Sequence, residues 1–533
     1  MIPATDSRTR LETPMTRRPA IDIVRSPAAP PRGHWARLIP PLLVGLALVA
    51  GVGLRVLAYA RNPSLWIDEA MLALNILYRG PAELFEPLDM NQGAPVGFLL
   101  AAKACVAGFG GNEFSLRLIP FAASLAGVVL FGVFAYRALP LTAARYAVAL
   151  FALSPYLAGY AAEFKQYGLD ATIGVGLLLL GRRVWNGPAP SGRLVGLALA
   201  GAVAVWFSHP AVFVLGGVGL SLLGDAAVRR DRAGLAARCL VVGAWLASFA
   251  ACYVLVLRRL GTNAYLLDYW AGSFLPLPPR MPGDLAWMVD HFFQMFNKPG
   301  GLNGGEFGLA GLAGLCFLVG CLGMARDDWR LLAAVVVPIG FCLLASGLRK
   351  YPFAGRLLLF AVPLLIVGVA RGLAVLTARL GEWQPGAGLV ALAVVFVGPV
   401  AECYELVKKP LHGEDAREVL AHASANWAAG DRMYVYYGAV PAFQYYRARS
   451  PIPEDAVAYG AENRKGDPRR FRDELQAFRG CGRVWVFFAH RQSVDETAIR
   501  AYLDGMGTGD VVFRRSDALL MCYDLRTPTN GRQ

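Results

Sequence analysis

The sequence LIPPLLVGLALVAGVGLRVLAYA, residues 38–60, decides the fold class because it is long and apolar enough to cross a lipid bilayer. Several further apolar runs of about 18 residues or more follow it along the chain. The 533 residues are 56% hydrophobic and only 17% charged, which is too apolar for an ordinary soluble protein. The sequence therefore predicts a polytopic α-helical membrane protein.

The first apolar run resembles a secretory signal at its end, where Ala58-Tyr59-Ala60 has the small-x-small form of a cleavage site. However, the run is longer than the apolar core of a signal peptide, which has about 7–15 residues. We therefore expect residues 38–60 to be a retained membrane anchor. Residues 1–37 are rich in Arg, Pro and Thr and predict a disordered basic cytoplasmic tail.

Basic segments between the apolar runs orient the chain, because short cytoplasmic loops carry an excess of Lys and Arg. Residues 94–109 form a short run that contains Pro95 and Lys103, so we place this run in the outer interface. With that placement, the rule gives about eleven transmembrane helices. A twelve-span alternative puts the basic loops on the wrong side. The predicted spans lie near residues 38–60, 116–136, 142–158, 168–184, two that meet at 208–210, 239–257, one ending at Arg326, 331–346, 357–377 and 387–403.

After the last apolar run the composition becomes mixed, so residues 404–533 predict a small soluble α/β domain, which lies on the outer, periplasmic side if the chain has eleven spans. Its aromatic residues between 434 and 446 could stack on sugar rings or pack in a core. Cys481 and Cys522 could form a disulfide outside the cell. Helical patterns lie near 413–425, 469–478 and 494–506, and strand-like runs near 433–437, 484–488, 511–513 and 519–523.

The predicted outer side collects carboxylates and cations. The acids are Asp68 and Glu69 in the first outer loop, residues 61–115, and Glu163 in a later loop. Each kind of residue in this group also has a simpler explanation. Acids are favoured in the first turn of a helix, and cations at a membrane face meet lipid head groups. A histidine beside a proline, such as His209, usually packs in a turn. The other residues of this group are Lys165, Tyr167, His209, Arg349, Lys350 and Arg356; a further outer loop spans 259–305.

Sugar transfer requires both kinds of group, a base for the incoming hydroxyl and charge to stabilise the departing oxyanion. The order of several short motifs resembles bacterial membrane glycosyltransferases of the GT-C superfamily, of the protein O-mannosyltransferase and lipid A aminoarabinose transferase kind (glycosyltransferase family 39 type). The resemblance covers residues 38–403. The motifs are Trp66–Ala70, Gln92–Gly97, Gly111–Pro120, Leu153–Pro155, Glu163–Tyr167, Tyr351–Phe353 and Arg356–Phe360.

The resemblance implies an inverting glycosyltransferase that uses a polyprenyl-phosphate sugar on the outer face of the cytoplasmic membrane. Asp68 would be the catalytic base, with Glu69 beside it, and a divalent cation such as Mg²⁺ or Mn²⁺ could be held by Asp68 and Glu163. The substrate-binding residues would be Glu163, Lys165, Tyr167, His209, Arg349, Lys350 and Arg356.

Two residues depart from the pattern of this family. Ala94-Pro95 replaces a common Pro-Pro pair, and Lys165 stands where arginine is frequent, so a bidentate contact is lost there. The acceptor is a lipid, a glycan or a protein. The net charge of +14 is explained by basic cytoplasmic loops, and we expect no nucleic-acid partner.

Two other functions remain open from the sequence. A transporter or flippase for a lipid-linked saccharide predicts charges inside the spans and inverted repeats, whereas the span interiors look nearly free of charge and no repeat is visible. A polymerase or ligase of surface polysaccharide uses similar chemistry on a longer glycan, and the sequence does not separate it from a single-sugar transferase.

Overall fold

Each predicted span is helical in the computed structural model, which describes residues 34–185, 190–303, 308–384, 386–410, 413–461 and 469–526. The predicted tail therefore lies outside the described residues as far as residue 33. The helices up to residue 408 are α1 (His34–Arg61), α2 (Ile67–Tyr78), α3 (Val96–Phe109), α4 (Glu113–Ala138), α5 (Leu141–Ala152), α6 (Pro155–Gly159), α7 (Tyr167–Arg182), α8 (Ser191–Phe207), α9 (Ala211–Val228), α10 (Arg232–Cys252), α11 (Arg258–Leu260), α12 (Ala264–Tyr269), α13 (Pro282–Asn297), α14 (Ala310–Asp327), α15 (Trp329–Gly347), α16 (Val362–Trp383) and α17 (Ala387–Lys408).

Within the described residues, eight helices are long and apolar enough to cross a membrane, and α5 with α6 forms a ninth candidate that is bent by 47°. Helices α7 and α8 have 16 and 17 residues and occupy the two remaining predicted positions. The chain is thus a polytopic helical membrane protein, as predicted. Helix α3 has only 14 residues and packs against α2, α4 and α8. Its location in the outer interface stays a prediction.

The bend between α5 and α6 is stabilised by a buried arginine of α1. Pro155 has no N–H to donate to the carbonyl of Phe151, so the helix ladder breaks there. Arg55 replaces the missing donors: Nη1 donates to the carbonyl of Ala152 at 2.8 Å, Nη2 to that of Phe151 at 3.4 Å, and Nε to Ser124 Oγ at 2.9 Å. Backbone groups within a bilayer must find partners inside the protein, so Arg55 allows this span to bend.

We expect Arg55→Leu to destabilise the protein by about 1–3 kcal/mol, because it removes the donor to the buried Ala152 carbonyl, whereas the Phe151 carbonyl still accepts from the Ser154 amide at 3.3 Å. The measurement is the midpoint of thermal unfolding in detergent, compared with Arg137→Leu at an exposed arginine of α4. An unchanged midpoint for Arg55→Leu would show that the bend is stable without these hydrogen bonds.

The expectation that the span interiors are nearly free of charge is wrong. Arg55 and Asp170 are buried within α1 and α7, and Asp225, near the end of α9, is fully buried. Asp225 pairs with Arg330 at 2.5 Å, and Arg371 of α16 pairs with Asp327. Most of these charges are engaged by partners within the bundle, which is why single residues could enter apolar runs without disrupting them.

Helices α14 and α16 pack at the centre of the bundle through small residues. Gly320 of α14 lies directly on the backbone of Gly368 and Gly372, which are spaced by four along α16. A side chain at Gly320 or Gly372 would collide with the facing backbone, and one at Gly368 would collide with the ring of Phe317. Such small residues let membrane helices approach closely, and α16 with its preceding turn is the most buried of the candidate spans.

The C-terminal region folds around a five-stranded sheet of order β2-β1-β3-β5-β4. Strand β1 is parallel to β2 and β3, whereas β5 is antiparallel to β3 and β4. The small α/β form was predicted, but the short β2 and α19 were not. The elements are α18 (Ala416–Ala425), β1 (Arg432–Val435), α19 (Val440–Tyr446), β2 (Val457–Tyr459), α20 (Arg469–Gln476), β3 (Arg483–Phe488), α21 (Ser493–Asp504), β4 (Thr508–Arg514) and β5 (Leu519–Asp524).

Of the two uses considered for the aromatic residues in this region, the structure shows core packing. Tyr434, Tyr436 and Phe443 are buried beside β3. Cys481 and Cys522 are both free thiols.

The first outer loop and the C-terminal region share one hydrophobic core. Phe98 and Leu65 belong to the same cluster of buried residues as the sheet. Tyr446 of α19 accepts a hydrogen bond from the Leu65 amide at 2.8 Å and bonds to Glu113 at 3.1 Å. Arg417 of α18 pairs with Glu113 at 2.7 Å. The C-terminal region is therefore packed directly on the loop that carries the two predicted catalytic acids.

Candidate functional site

Helix α2 begins at Ile67 and places two adjacent acids in its first turn, where the helix dipole favours negative charge. Adjacent helical residues point in directions about 100° apart, so Asp68 and Glu69 face different surroundings. The Asp68 side chain is 21% exposed, whereas that of Glu69 is 1% exposed. The pair named in the sequence analysis is thus divided into one accessible and one inaccessible carboxylate.

Glu69 is held in a buried ion pair. Arg117 of α4 donates to both of its oxygens, from Nε at 2.9 Å and from Nη2 at 2.7 Å. The backbone amide of Phe164 donates to Oε1 at 2.5 Å, and that of Trp66 to Oε2 at 3.3 Å. Glu69 therefore connects the first loop to α4 and to the segment before α7. In this position the Glu69 carboxylate is removed from solvent, so Asp68 is the accessible acid of the pair.

Asp68 faces two cations that lie far away in the sequence. Arg356 Nη2 is 2.5 Å from Asp68 Oδ2, and Lys165 Nζ is 4.0 Å from the same oxygen. Lys165 is itself buried and donates to Gln92 Oε1 at 2.8 Å. Residues from four of the motifs quoted above thus meet at one end of the bundle, as the sequence predicted for Asp68, Lys165 and Arg356.

The guanidinium of Arg356 lies between two aromatic rings. Its Cζ is 5.2 Å from the centre of the Trp66 ring and 5.9 Å from that of Tyr167. The negative electrostatic potential over the face of an aromatic ring attracts a cation placed there. Arg356 Nε is buried and donates to no residue in the described part of the chain. The arginine is thus oriented by aromatic contacts and one ion pair while one of its donors stays available.

These cations keep Asp68 ionised. Burial alone would raise the pKa of the Asp68 carboxyl, but the nearby charges of Lys165 and Arg356 outweigh it and lower that pKa below its ordinary value. Burial lowers the pKa of Lys165, and Asp68 opposes that change. At neutral pH the site therefore presents a partly exposed carboxylate next to a guanidinium.

Glu163 is buried close to the Glu69 ion pair. With Glu69 and Arg117 it lines a small cavity of about 20 Å³, which is large enough for about one water molecule. The Asp68 carboxylate is already paired with Arg356 and faces Lys165, and these two positive charges disfavour a further cation beside it.

The expected phosphate-binding cluster is divided. Arg349 and Lys350 are exposed and, with Asp268, line an open cleft of about 300 Å³ beneath α12. Arg349 lies over the ring of Phe274 at 5.5 Å. Arg356 belongs instead to the Asp68 group. The short spacing in sequence suggested one cluster, but the turn after α15 points the first two side chains away from the third.

His209 is not part of the Asp68 group. It lies in the turn between α8 and α9, and burial lowers its pKa to about 4, so it is neutral at physiological pH. Its Nε2 makes no hydrogen bond within the described residues. The simpler explanation of a packed turn residue therefore describes its surroundings better than direct contact with a catalytic acid.

Several residues of the site have no role predicted from the sequence, although three of them lie inside the motifs Trp66–Ala70, Gln92–Gly97 and Gly111–Pro120. Trp66 and Gln92 contact the cations, and Arg117 holds Glu69. Their position inside those motifs was the signal that could have identified them. His490, which acts electrostatically on Asp68 from the C-terminal region, had no such signal.

Comparison with other proteins places this geometry in a known fold. No protein-family model and no curated protein matches the chain. Among solved structures, ArnT from Cupriavidus metallidurans bound to undecaprenyl phosphate matches at a TM-score of 0.51 and 14% identity, covering 92% of this chain and 98% of ArnT. The chain has the GT-C fold. An oligosaccharyltransferase from Archaeoglobus fulgidus, in complex with Zn and sulfate, matches at a TM-score of 0.50 and 14% identity, covering 83% and 67% of the two chains.

This fold is the one that the resemblance of the motifs implied. At 14% identity the likeness establishes the fold, whereas roles of individual residues depend on the geometry of this chain. In this chain, α2 carries the ionised Asp68, and the segment before α7 carries the buried Lys165. The turn before α16 carries Arg356. A carboxylate, two cations and two aromatic rings are thus brought together at one end of the bundle.

Proposed function

We propose that the protein is an inverting glycosyltransferase that moves a sugar from a polyprenyl-phosphate donor to an acceptor on the outer face of the bacterial cytoplasmic membrane. The main support is the partly exposed Asp68 carboxylate, which is held ionised between Arg356 and Lys165. The shared fold adds support, because the ArnT structure contains undecaprenyl phosphate, the kind of lipid that such a donor releases.

In the proposed reaction, an acceptor hydroxyl attacks the anomeric carbon from the face opposite the phosphate, so the configuration inverts. The new bond joins the acceptor oxygen to that carbon, and the bond between the carbon and the phosphate oxygen breaks. Asp68 accepts the hydroxyl proton. The polyprenyl phosphate leaves with the electron pair of the broken bond, and its negative charge is stabilised by Arg356 and Lys165.

Donor binding would also activate Asp68. The phosphate competes with Asp68 for the Arg356 guanidinium, whose buried Nε is available for an additional acceptor. When Arg356 moves to the phosphate, Asp68 loses one of the charges that lower its pKa and gains a negative neighbour, so its pKa rises. The carboxylate thus becomes a stronger base when a donor is bound, at the stage of the reaction that needs it.

The remaining residues have supporting roles in this proposal. Glu69 positions α2 through Arg117, and Tyr167 orients Arg356. Arg349 and Lys350 line a neighbouring open cleft and would attract the lipid phosphate as it approaches.

The test is to incubate the purified protein with a panel of polyprenyl-phosphate sugars and to measure release of the polyprenyl phosphate. We expect release with at least one donor, and a product whose anomeric configuration is opposite to that of the donor. Folded protein that releases no lipid phosphate from any donor, but moves a lipid-linked saccharide between the leaflets of a vesicle, would replace transfer with transport.

A further inference from the structure

Three metal-ligating side chains of the C-terminal region meet at one edge of its sheet. Strand β3 ends at Phe488 and pairs with the beginning of β5 at Leu519. His490 follows β3 and Asp517 precedes β5, so the antiparallel pairing brings both residues to the same edge. Glu414 lies just before α18, which packs against β3 and β5. The topology thus assembles one histidine and two carboxylates from separate parts of the chain.

The potential ligand atoms of these three residues all lie within 4.8 Å of one another. His490 Nδ1 is 2.8 Å from Glu414 Oε1. Glu414 is 4% exposed, and its Oε2 accepts no hydrogen bond of ordinary geometry from any described residue, although the Ile67 amide approaches the carboxylate. Asp517 also faces Arg491 Nε at 3.5 Å. A buried carboxylate oxygen without a proper partner is costly, and a cation would satisfy it.

The backbone around this cluster is also unusual. His490 has a φ of +49° and Asp415, the residue after Glu414, has a φ of +44°. Both are in the left-handed region, which residues other than glycine adopt uncommonly. The fold maintains this conformation at His490 and at the residue that follows Glu414. Backbone strain alone does not identify a site, but here it accompanies the unsatisfied carboxylate oxygen.

We propose that Glu414, His490 and Asp517 bind a first-row divalent transition-metal ion, with Zn²⁺ as the probe of choice. An imidazole with two carboxylates is a donor set suited to Zn²⁺ and its neighbours, whereas Mg²⁺ and Ca²⁺ prefer oxygen ligands alone. Three protein ligands also leave a coordination position open. These residues differ from Asp68 and Glu163, the pair that the sequence offered for a cation.

The position of the cluster gives the C-terminal region a role at the Asp68 group. Glu414 is next to the amide of Ile67, the residue before Asp68 in the first turn of α2. A bound cation would fasten the C-terminal region to the beginning of α2 and hold positive charge near Asp68. This inference stands on the cluster itself and does not depend on the proposed sugar transfer.

The test uses the full-length protein, stripped with a chelator, incubated with Zn²⁺ and freed of excess metal by gel filtration. We expect about one tightly bound Zn²⁺ per chain by elemental analysis. We expect His490→Ala and Asp517→Asn each to weaken Zn²⁺ binding by more than about 100-fold. Losing a residue that only orients a metal ligand already costs about 10- to 100-fold, and these two residues would bind the metal directly. His422→Ala is the matched control, since His422 lies in the same region but stacks on Phe513 away from the cluster.

Equal zinc content in wild type and in both cluster variants would overturn the proposal, as would wild-type protein that binds no zinc. Because Glu414 is buried, Glu414→Gln serves only as a supporting variant. Circular dichroism and gel filtration confirm that each variant is folded. Zinc content is measured without substrate, so its outcome is distinguishable from failure of the transferase assay.

Discussion

Asp68→Asn is expected to lower the rate of sugar transfer by about 10²- to 10⁴-fold, the usual contribution of a general base. Asparagine has nearly the same shape as aspartate but cannot accept the acceptor's proton, and it offers Arg356 only a neutral oxygen. Donor binding should be retained or strengthened, because the guanidinium no longer has a competing carboxylate beside it. The measurement is release of polyprenyl phosphate at saturating donor, together with the donor Kd.

The matched control is Asp89→Asn in the same outer loop. Asp89 also pairs with an arginine, Arg79, at 2.7 Å, but it is 66% exposed and lies outside the Asp68 group. Its transfer rate should stay within about 2-fold of wild type, since surface ion pairs contribute only about 0–1 kcal/mol. If folded Asp68→Asn protein transfers sugar at the wild-type rate, Asp68 is not the base.

Arg356→Ala is expected to weaken donor binding by about 10- to 100-fold, because a hydrogen bond to a charged group contributes about 1.5–3 kcal/mol. Arg356→Lys should recover only part of this affinity, since lysine keeps the charge but lacks the planar fork that fits both a phosphate and the rings of Trp66 and Tyr167. The comparison is the Kd for a non-hydrolysed donor analogue in wild type, both variants and Arg500→Ala, an exposed arginine of the C-terminal region.

Arg356→Ala should also change the pH dependence of sugar transfer. Asp68 acts as a base only when ionised, so activity is lost as the pH falls through its pKa in the free enzyme. Burial raises that pKa, and Lys165 and Arg356 lower it further than burial raises it. Without Arg356 the pKa rises, so the acidic limb of the kcat/KM profile should move to higher pH. Unchanged donor affinity and an unchanged acidic limb would together separate Arg356 from both roles.

The membrane part of the fold was predictable because the length of an apolar run and the charges at its ends depend on local sequence and bilayer thickness. The buried Arg55 was not, since its partners are carbonyls exposed by a proline break about a hundred residues later. A charge in an apolar run becomes understandable only when the helix that accepts its hydrogen bonds is known.

At the candidate site, the sequence identified Asp68, Lys165 and Arg356 but could not distinguish Asp68 from Glu69. That distinction depends on which side of α2 faces Arg117, which is a matter of tertiary packing. Sequence proximity likewise grouped Arg349 with Arg356, although the turn between them separates the side chains.

The cluster of Glu414, His490 and Asp517 left no pattern in the sequence. Its members are not at metal-binding spacing, and only the pairing of β3 with β5 brings the last two together. Sites that depend on sheet topology in this way are found from coordinates and not from motifs.

The core shared by the first outer loop and the C-terminal region has a consequence for biogenesis. Leu65 and Tyr446 are 381 residues apart, so at usual translation speeds the loop leaves the ribosome roughly 20 to 80 s before its partner. During that interval the loop carrying Asp68 has no closed core. The loop that carries Asp68 therefore completes its core only after the last segment of the chain has been made, so the order of synthesis determines when the Asp68 group can form.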